Sequence, residues 1–225
     1  GQYASTGGGV TNEASGVSST VSGGWGNTAS SEDATVGGGS ANTAGGIRDT
    51  IAGGYYNYAH GTSSFIGGGY DNETTGAHST ISGGFDNTAS GMNSTISGGR
   101  GNTASGLDST ISGGFDNTAS GDESTVGGGW NNTAAGNTSL IPGGSFNTAN
   151  GEWAVVAGGR ENTAGQDYSF AAGRKAKANH QGAFVWADSS DFNYPSGGDN
   201  EFTVRATGGV HFVTAIDGSG VPTAG

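Results

Sequence analysis

The chain has no cysteine, only three prolines, and seven lysines and arginines against nineteen aspartates and glutamates in 225 residues. Each scarcity excludes a class. Without cysteine there is neither a disulfide framework nor a zinc ribbon, and the absence fits a reducing compartment and a bacterial exterior equally. Three prolines and no glycine at every third position exclude collagen, although 49 residues are glycine. A net charge of −12, with no basic stripe along the first two thirds, would repel a phosphate backbone, so nucleic acid is not an expected partner. No apolar run approaches the ~20 residues that span a bilayer, and Gly1-Gln2-Tyr3 is no signal peptide, so a soluble, processed piece without direct membrane insertion is expected. Hydrophobic side chains make up 31% of the chain, which cannot fill a broad core; the core must be thin, or shared between chains. Disorder is opposed by a charged fraction of only 12% together with four tryptophans, seven tyrosines and nine phenylalanines.

What the chain does have is a period. A Gly-Gly pair begins at residues 8, 23, 38, 53, 68, 83, 98, 113, 128, 143 and 158, always fifteen apart. Four residues after the first glycine stands an asparagine each time: Asn12, Asn27, Asn42, Asn57, Asn72, Asn87, Asn102, Asn117, Asn132, Asn147 and Asn162. Two residues before the pair, from Val21 onward, the residue is Val or Ile. Ser-Thr-Ile-Ser and Asn-Thr-Ala-Ser are short stretches of period two separated by glycine corners, and they read as two short strands per repeat. Alternation places Ser79, Ile81, Asn87 and Ala89 inside and Thr80, Ser82, Thr88 and Ser90 outside. A helix is excluded, since glycine at every turn costs about 1 kcal/mol each relative to alanine. The predicted fold class is therefore all-β: a single-chain parallel β-solenoid, or β-roll, of fifteen-residue coils in which like residues superpose about 4.8 Å apart.

Each superposed column has a physical role. Ile and Val form an apolar spine, and alanines such as Ala89 and Ala104 fit where the interior is narrow. The asparagines are expected to form a structural ladder that satisfies polar groups otherwise buried without partners. The pattern departs at Ser31 and Gln166, which stand where a corner glycine would recur, and it decays after the eleventh copy.

Asn93-Ser94-Thr95-Ile96-Ser97-Gly98-Gly99, followed by Asn102-Thr103-Ala104-Ser105-Gly106, resembles the head repeat of YadA-like trimeric autotransporter adhesins. The resemblance covers roughly residues 1–186 and implies a left-handed β-roll assembled as a homotrimer at a bacterial surface. The family repeat is usually near fourteen residues with a Ser-Val-Ala-Ile-Gly core, whereas this one is fifteen with Gly-Gly. The run from Tyr168 to Trp186 looks like the end of such heads. Residues 200–214, from Asn200-Glu201-Phe202 to Phe212-Val213-Thr214, resemble a segment that precedes an intramolecular chaperone in phage tail fibres and related surface proteins. That likeness implies a chaperone domain cleaved off or omitted, and a virion or injection-particle fibre as the other setting.

The expected organisation is regular coils over 1–165, a capping coil over 166–186, a loop rich in turn formers over 187–198, and a C-terminal β-hairpin and tail over 199–225. The hairpin is read from Phe202, Val204 and Ala206, then Val210 and Phe212, around Thr207-Gly208-Gly209. A lone hairpin is marginally stable in water, so packing against neighbouring chains is expected.

Catalytic constellations are not found. His60, His78, His180 and His211 lack metalloprotease spacing and no nucleophile elbow occurs. Gly99-x-Gly101-x-x-Ala104 imitates a dinucleotide loop but lies inside the repeat with no following helix. Asp188 and Asp191 could be the carboxylate pair of a glycosidase or lyase, yet their polar loop favours solvated turn residues. Arg160, Arg174, Lys175 and Lys177 form the one local exception to the acidic field and read as a solvated face near a domain junction. No cofactor or metal site is indicated, the aspartates at 71, 86 and 116 being too sparse for a calcium roll.

The variable pair after Gly-Gly carries Trp25, Tyr55, Tyr70, Phe85, Phe115 and Trp130, one broken column that is either exposed for a ligand such as a host glycan or protein receptor, or packed between subunits. The function that follows is non-enzymatic: a fibrous, extracellular surface module of a trimeric adhesin or tail fibre that mediates attachment. Two alternatives are an ice-binding solenoid with Thr columns such as Thr80, Thr95 and Thr110, and a pure structural spacer. Against ice binding, the companion outward column is mixed (Ser22, Gly37, Ala52, Gly67, Pro142), so no Thr-x-Thr file exists.

Overall fold

A computed structural model describes residues 1–216, 218–219 and 221–224. Strands of two residues, Thr-Ile or Thr-Val and then Thr-Ala in the regular coils, recur in every turn, and no helix occurs among the described residues. The first member of each coil joins a 14-stranded sheet and the second a 13-stranded sheet, each strand bonded only to its counterparts one coil away. All these pairings are parallel, and in the regular coils the register is fifteen, for example Thr80↔Thr95 with Ile81↔Ile96, and Thr88↔Thr103 with Ala89↔Ala104. A third ladder of single bridges runs from Val10 through Trp25, Tyr55, Phe85 and Trp130 to Arg160. At about 4.8 Å per coil, thirteen turns give a rod about 60 Å long.

The interior is one side chain wide. Ile81, Ile96 and Ile111 lie fully buried on one sheet and face Ala89, Ala104 and Ala119 from the other. Flanking them, the columns of Ser79 and Asn87 are also fully buried, while Thr80 and Thr88 are half-buried and Ser82 and Ser90 exposed. The interior face is thus the one the alternation specifies, and half of it is polar.

Two corners per coil adopt left-handed backbone. The residue before each buried asparagine has φ near 55°, as in Thr11, Asp86 (56°) and Asn131 (54°), with Gly26 and Gly101 taking the same place in their coils. The other corner includes His78 (57°), Thr138 (54°) and Trp153 (53°). Such a conformation costs a non-glycine residue roughly 1–2 kcal/mol, so the stacked interior holds a conformation that the corner residues disfavour. The second glycine of the pair is constrained twice over: Gly84 has φ +103°, and a Cβ there would fall 2.6 Å from Asn87 Nδ2 and closer still to Gly99 O.

The coil length changes where the repeat decays. Phe170 pairs with Phe184, fourteen residues on, after a bulge between Val156 and Gly158. Phe184 then pairs with Phe202, eighteen on, the longer coil absorbing the turn-rich segment after Ala187. That segment is not wholly loop, because Tyr194–Pro195 pairs with Ala176–Lys177 in the second sheet. The hairpin read over 202–212 does not form. Phe202–Arg205 instead continues the first sheet, parallel to Phe184–Ala187, and residues 209–214 carry no strand. The physical reason is an open parallel edge that receives the strand, with Phe202 stacking on Phe184 (4.8 Å) and Phe184 on Phe170 (4.5 Å). An antiparallel pair does occur further along, between Ala215–Ile216 and Pro222–Ala224. The tail read beyond the hairpin falls partly, at 217, 220 and 225, outside the described residues.

Candidate adhesive surface

The third ladder places the aromatic column on the outside of the rod. Tyr55 and Tyr70 pack with ring centroids 5.4 Å apart, Tyr70 and Phe85 at 5.0 Å with planes within 4°. Arg100 then fills the gap, its guanidinium 4.9 Å from the Phe85 ring and 5.5 Å from Phe115, and Phe115 lies 6.5 Å from Trp130. From Tyr55 to Trp130 the column is therefore continuous, with a cation–π pair bridging where the aromatics stop. Trp25 stands apart, since Ser40 separates it from Tyr55. All six aromatics are exposed, from 37% at Phe115 to 54% at Trp25. Where rings stack on one another their faces are covered and their edges point outward, which suits packing against apolar protein better than stacking under a sugar ring.

From Asn27 to Asn162 the asparagines are buried and bonded along the rod, while Asn12 in the first coil is half-buried. Asn102 Nδ2 donates to Gly98 O (3.1 Å) and Gly114 O (3.1 Å) and lies 3.1 Å from Asn87 Oδ1, while Asn102 Oδ1 accepts from the Asn117 backbone N–H at 3.0 Å. The same set recurs from Asn42 to Asn147. Each side chain thus ties three coils together, closing the Gly-Gly corner of its own coil and capping an amide of the next.

The threonine columns lie on two different sheets and are interrupted, by Phe65 and Leu140 on the first and by Tyr58 and Glu73 on the second. Asp71, Asp86 and Asp116 occupy left-handed corners, and among the described residues no group of three or more potential ligands could hold a metal ion. Asp188 and Asp191 are engaged by cations. Asp188 pairs with Arg205 at 2.9 Å in a site where both side chains are mostly covered, and accepts N–H groups of Ser190 and Thr207. The Thr207 and Ser190 N–H bonds hold its carboxyl far below the usual range, and Lys175, then Arg174, lower Asp191 as well. Both shifts run opposite to the raised pKa that a glycosidase's general acid requires. Arg160, Arg174 and Lys175 are knit to Glu161 and Asp191 by four ion pairs of 2.7–3.4 Å, and Lys177 Nζ donates to Glu161 O and Thr163. The cluster is a network on the last coils rather than a row of independent solvated charges.

Two features escaped the sequence reading. Asp49, in the serine column, is fully buried and accepts bonds from Gly46 N (2.8 Å), Ser64 N and Ser64 Oγ (both 2.9 Å), with Ser64 Oγ 2.8 Å from Thr74 Oγ1. Burial pushes its carboxyl pKa up. The signal was available: Asp49 breaks the serine column and Thr74 breaks the alanine column within neighbouring coils. The second is an open depression of about 390 Å³ lined by Gly173, Arg174, Trp186, Ala187, Asp188 and Ser189.

Residues 79–91 and 109–121 match the family model described as the Ubiquitous surface protein adhesin repeat. The repeat is adhesin-like. The two matched segments are identical in sequence, and each covers a single coil from its buried serine through both strands, the Gly-Gly corner and the ladder phenylalanine to the close-packed glycine. This is a broader likeness than the YadA-like head named from the sequence, and neither match reaches residues 200–214. No curated protein matches the chain. An adhesin-type repeat on a β-solenoid points to a fibrous repeat module at a cell surface. No helix among the described residues is long and apolar enough to cross a membrane.

Proposed function

We propose that the chain is the rod of a homotrimeric bacterial surface adhesin, with the aromatic ladder at the seam between subunits and attachment to a host-surface glycan or protein receptor as its task. The observation that carries the reading is the continuous edge-on column from Tyr55 to Trp130, standing outside a core too narrow to receive it. A row of exposed ring edges on a straight rod favours burial against a like surface, and three-fold closure would shield it without leaving an open end. The adhesin-repeat match favours a cell-surface setting over a virion fibre. Light scattering in dilute solution tests the assembly: a mass of three chains is expected, falling toward one chain in the Tyr70→Ser, Phe85→Ser double variant. A single-chain mass for the unaltered protein overturns the trimer and returns the ladder to the surface as a ligand site.

A further inference from the structure

We infer that the depression beside Trp186 is a binding site for a carboxylated sugar, the acidic residue of a host glycan. The assignment rests on the adhesive reading for its biological setting and on the geometry of the last coils for its chemistry. Five of the chain's seven cations, Arg160, Arg174, Lys175, Lys177 and Arg205, lie between residues 160 and 205 beside six carboxylates, whereas residues 1–159 carry two cations against twelve carboxylates. In the ion-pair network three of them share the carboxylates of Glu161 and Asp191 alone, so positive charge is left over. Arg174 Nη2 bonds Asp191 (2.9 Å), Nη1 donates to Ser189 O (3.1 Å) and Nε is buried without a partner, so what the side chain offers the depression is its charge, carried at the rim with about a third of the side chain exposed.

The pocket's apolar wall is equally specific. Trp186 is 38% exposed, and no other ring packs on it among the described residues, in contrast to the mutually covered rings of the ladder and of the Phe170, Phe184 and Phe202 stack. An uncovered indole beside a guanidinium offers a sugar ring both an apolar face and a counter-charge. Gly173 and Ala187 keep the floor low, because neither projects more than a methyl group, and Ser189 adds a polar rim. A volume of about 390 Å³ lies at the small end of ligand pockets and fits one sugar residue rather than a folded peptide. Asp188 lies at the same wall, but its charge is already taken by Arg205 and two backbone N–H groups, so it does not cancel the attraction.

The full chain in its native assembly is titrated with 3′-sialyllactose and with a glucuronate-bearing hyaluronan tetrasaccharide, against lactose and the methyl-esterified tetrasaccharide as neutral counterparts. The readout is the indole N–H resonance of Trp186, assigned with Trp186→Phe, and the heat of binding. A dissociation constant of about 1 mM is expected for one acidic sugar, at least about threefold weaker at high salt, about tenfold weaker in Arg174→Gln and in Trp186→Ala, and absent for the neutral pair. Which acidic sugar binds tells terminal sialic acid from internal uronic acid. Circular dichroism checks that each variant keeps the solenoid, and the wild-type resonance shift stands without any variant. No binding of either acid, equal binding of the neutral sugars, or full binding by a folded Arg174→Gln overturns the assignment. Attachment of labelled protein to cells is measured in parallel: attachment without sugar binding removes the pocket and leaves the adhesive reading standing, whereas sugar binding without attachment does the reverse.

Discussion

Replacing Asn102 by alanine in mid-rod should cost far more than removing one exposed amide, and the structure says how much. The variant would strip the Asn117 N–H of its acceptor at 3.0 Å and Gly98 O of the donor at 3.1 Å, whereas Gly114 O keeps the Arg100 N–H at 2.9 Å. A buried amide and a half-buried carbonyl lose partners, the first costing about 1–3 kcal/mol when left unsatisfied and the second less, so a loss of about 2–4 kcal/mol is expected, felt mostly in the three coils the side chain joins. Asn137→Ala is the control, since Asn137 lies outside the left-handed corners and its side chain makes only an exposed bond, accepting the Asp122 N–H at 3.1 Å, and should cost under about 1 kcal/mol. Because a solenoid is stabilised by nearest-neighbour coil contacts and need not unfold in one step, native-state hydrogen exchange is the assay. The Asn117 amide and the strands Thr103–Ala104 and Thr118–Ala119 should lose protection in Asn102→Ala, and distant coils such as Thr28–Ala29 should not. If Asn102→Ala stays within about 1 kcal/mol of the parent and the Asn117 amide remains protected, the ladder is not what holds the corners and the reasoning fails.

Three further outcomes follow from the same columns. Gly84→Ala forces a Cβ onto Asn87 Nδ2 and the Gly99 carbonyl at φ +103° and should lower the thermal midpoint sharply, by more than about 3 kcal/mol equivalent, with loss of native circular dichroism as the extreme; an unchanged midpoint would contradict the close packing. Ser109→Ala should be neutral or stabilising by up to about 1 kcal/mol in denaturant titration, because Ser109 Oγ is buried without a partner and Ala34 and Ala154 already occupy that column, whereas Ser79→Ala should be destabilising because Ser79 Oγ bonds Gly76 O at 2.8 Å. Acid should loosen the two ends of the charge argument differently: the Asp188 pKa is depressed on folding, so its stabilisation is present above the ordinary aspartate value of about 3.9 and is lost as pH falls below it, while Asp49 has a raised pKa and gains stability as it is protonated. Pepsin between pH 2 and 4 should therefore cut first near Phe192 and Phe202, and early cleavage around Asp49 would refute the assignment.

The sequence by itself determined the period, the interior face and the parallel register, because a fifteen-residue repeat that alternates Ser, Ile, Asn and Ala on one side admits one stacking in which all of them are buried together. Ile81 under Ile96 and Asn87 under Asn102 needed no coordinates. Tertiary structure decided what periodicity is blind to. Phe202 could pair back on Val210 by its own alternation, and it joins Phe184 instead because an existing sheet edge offers backbone partners and a stacked ring that a lone hairpin lacks. Asp188 and Asp191 read as solvated turn residues in the sequence, whereas Arg205, Arg174 and Lys175 lie against them from positions up to seventeen residues away. The left-handed corners at Thr138 and Trp153 were likewise invisible, since those residues disfavour that conformation alone and hold it because the coils above and below fix the backbone between them. Trp186 and Arg174 stand twelve residues apart in sequence and meet at one depression because Gly173 pairs with Ala187 across neighbouring coils.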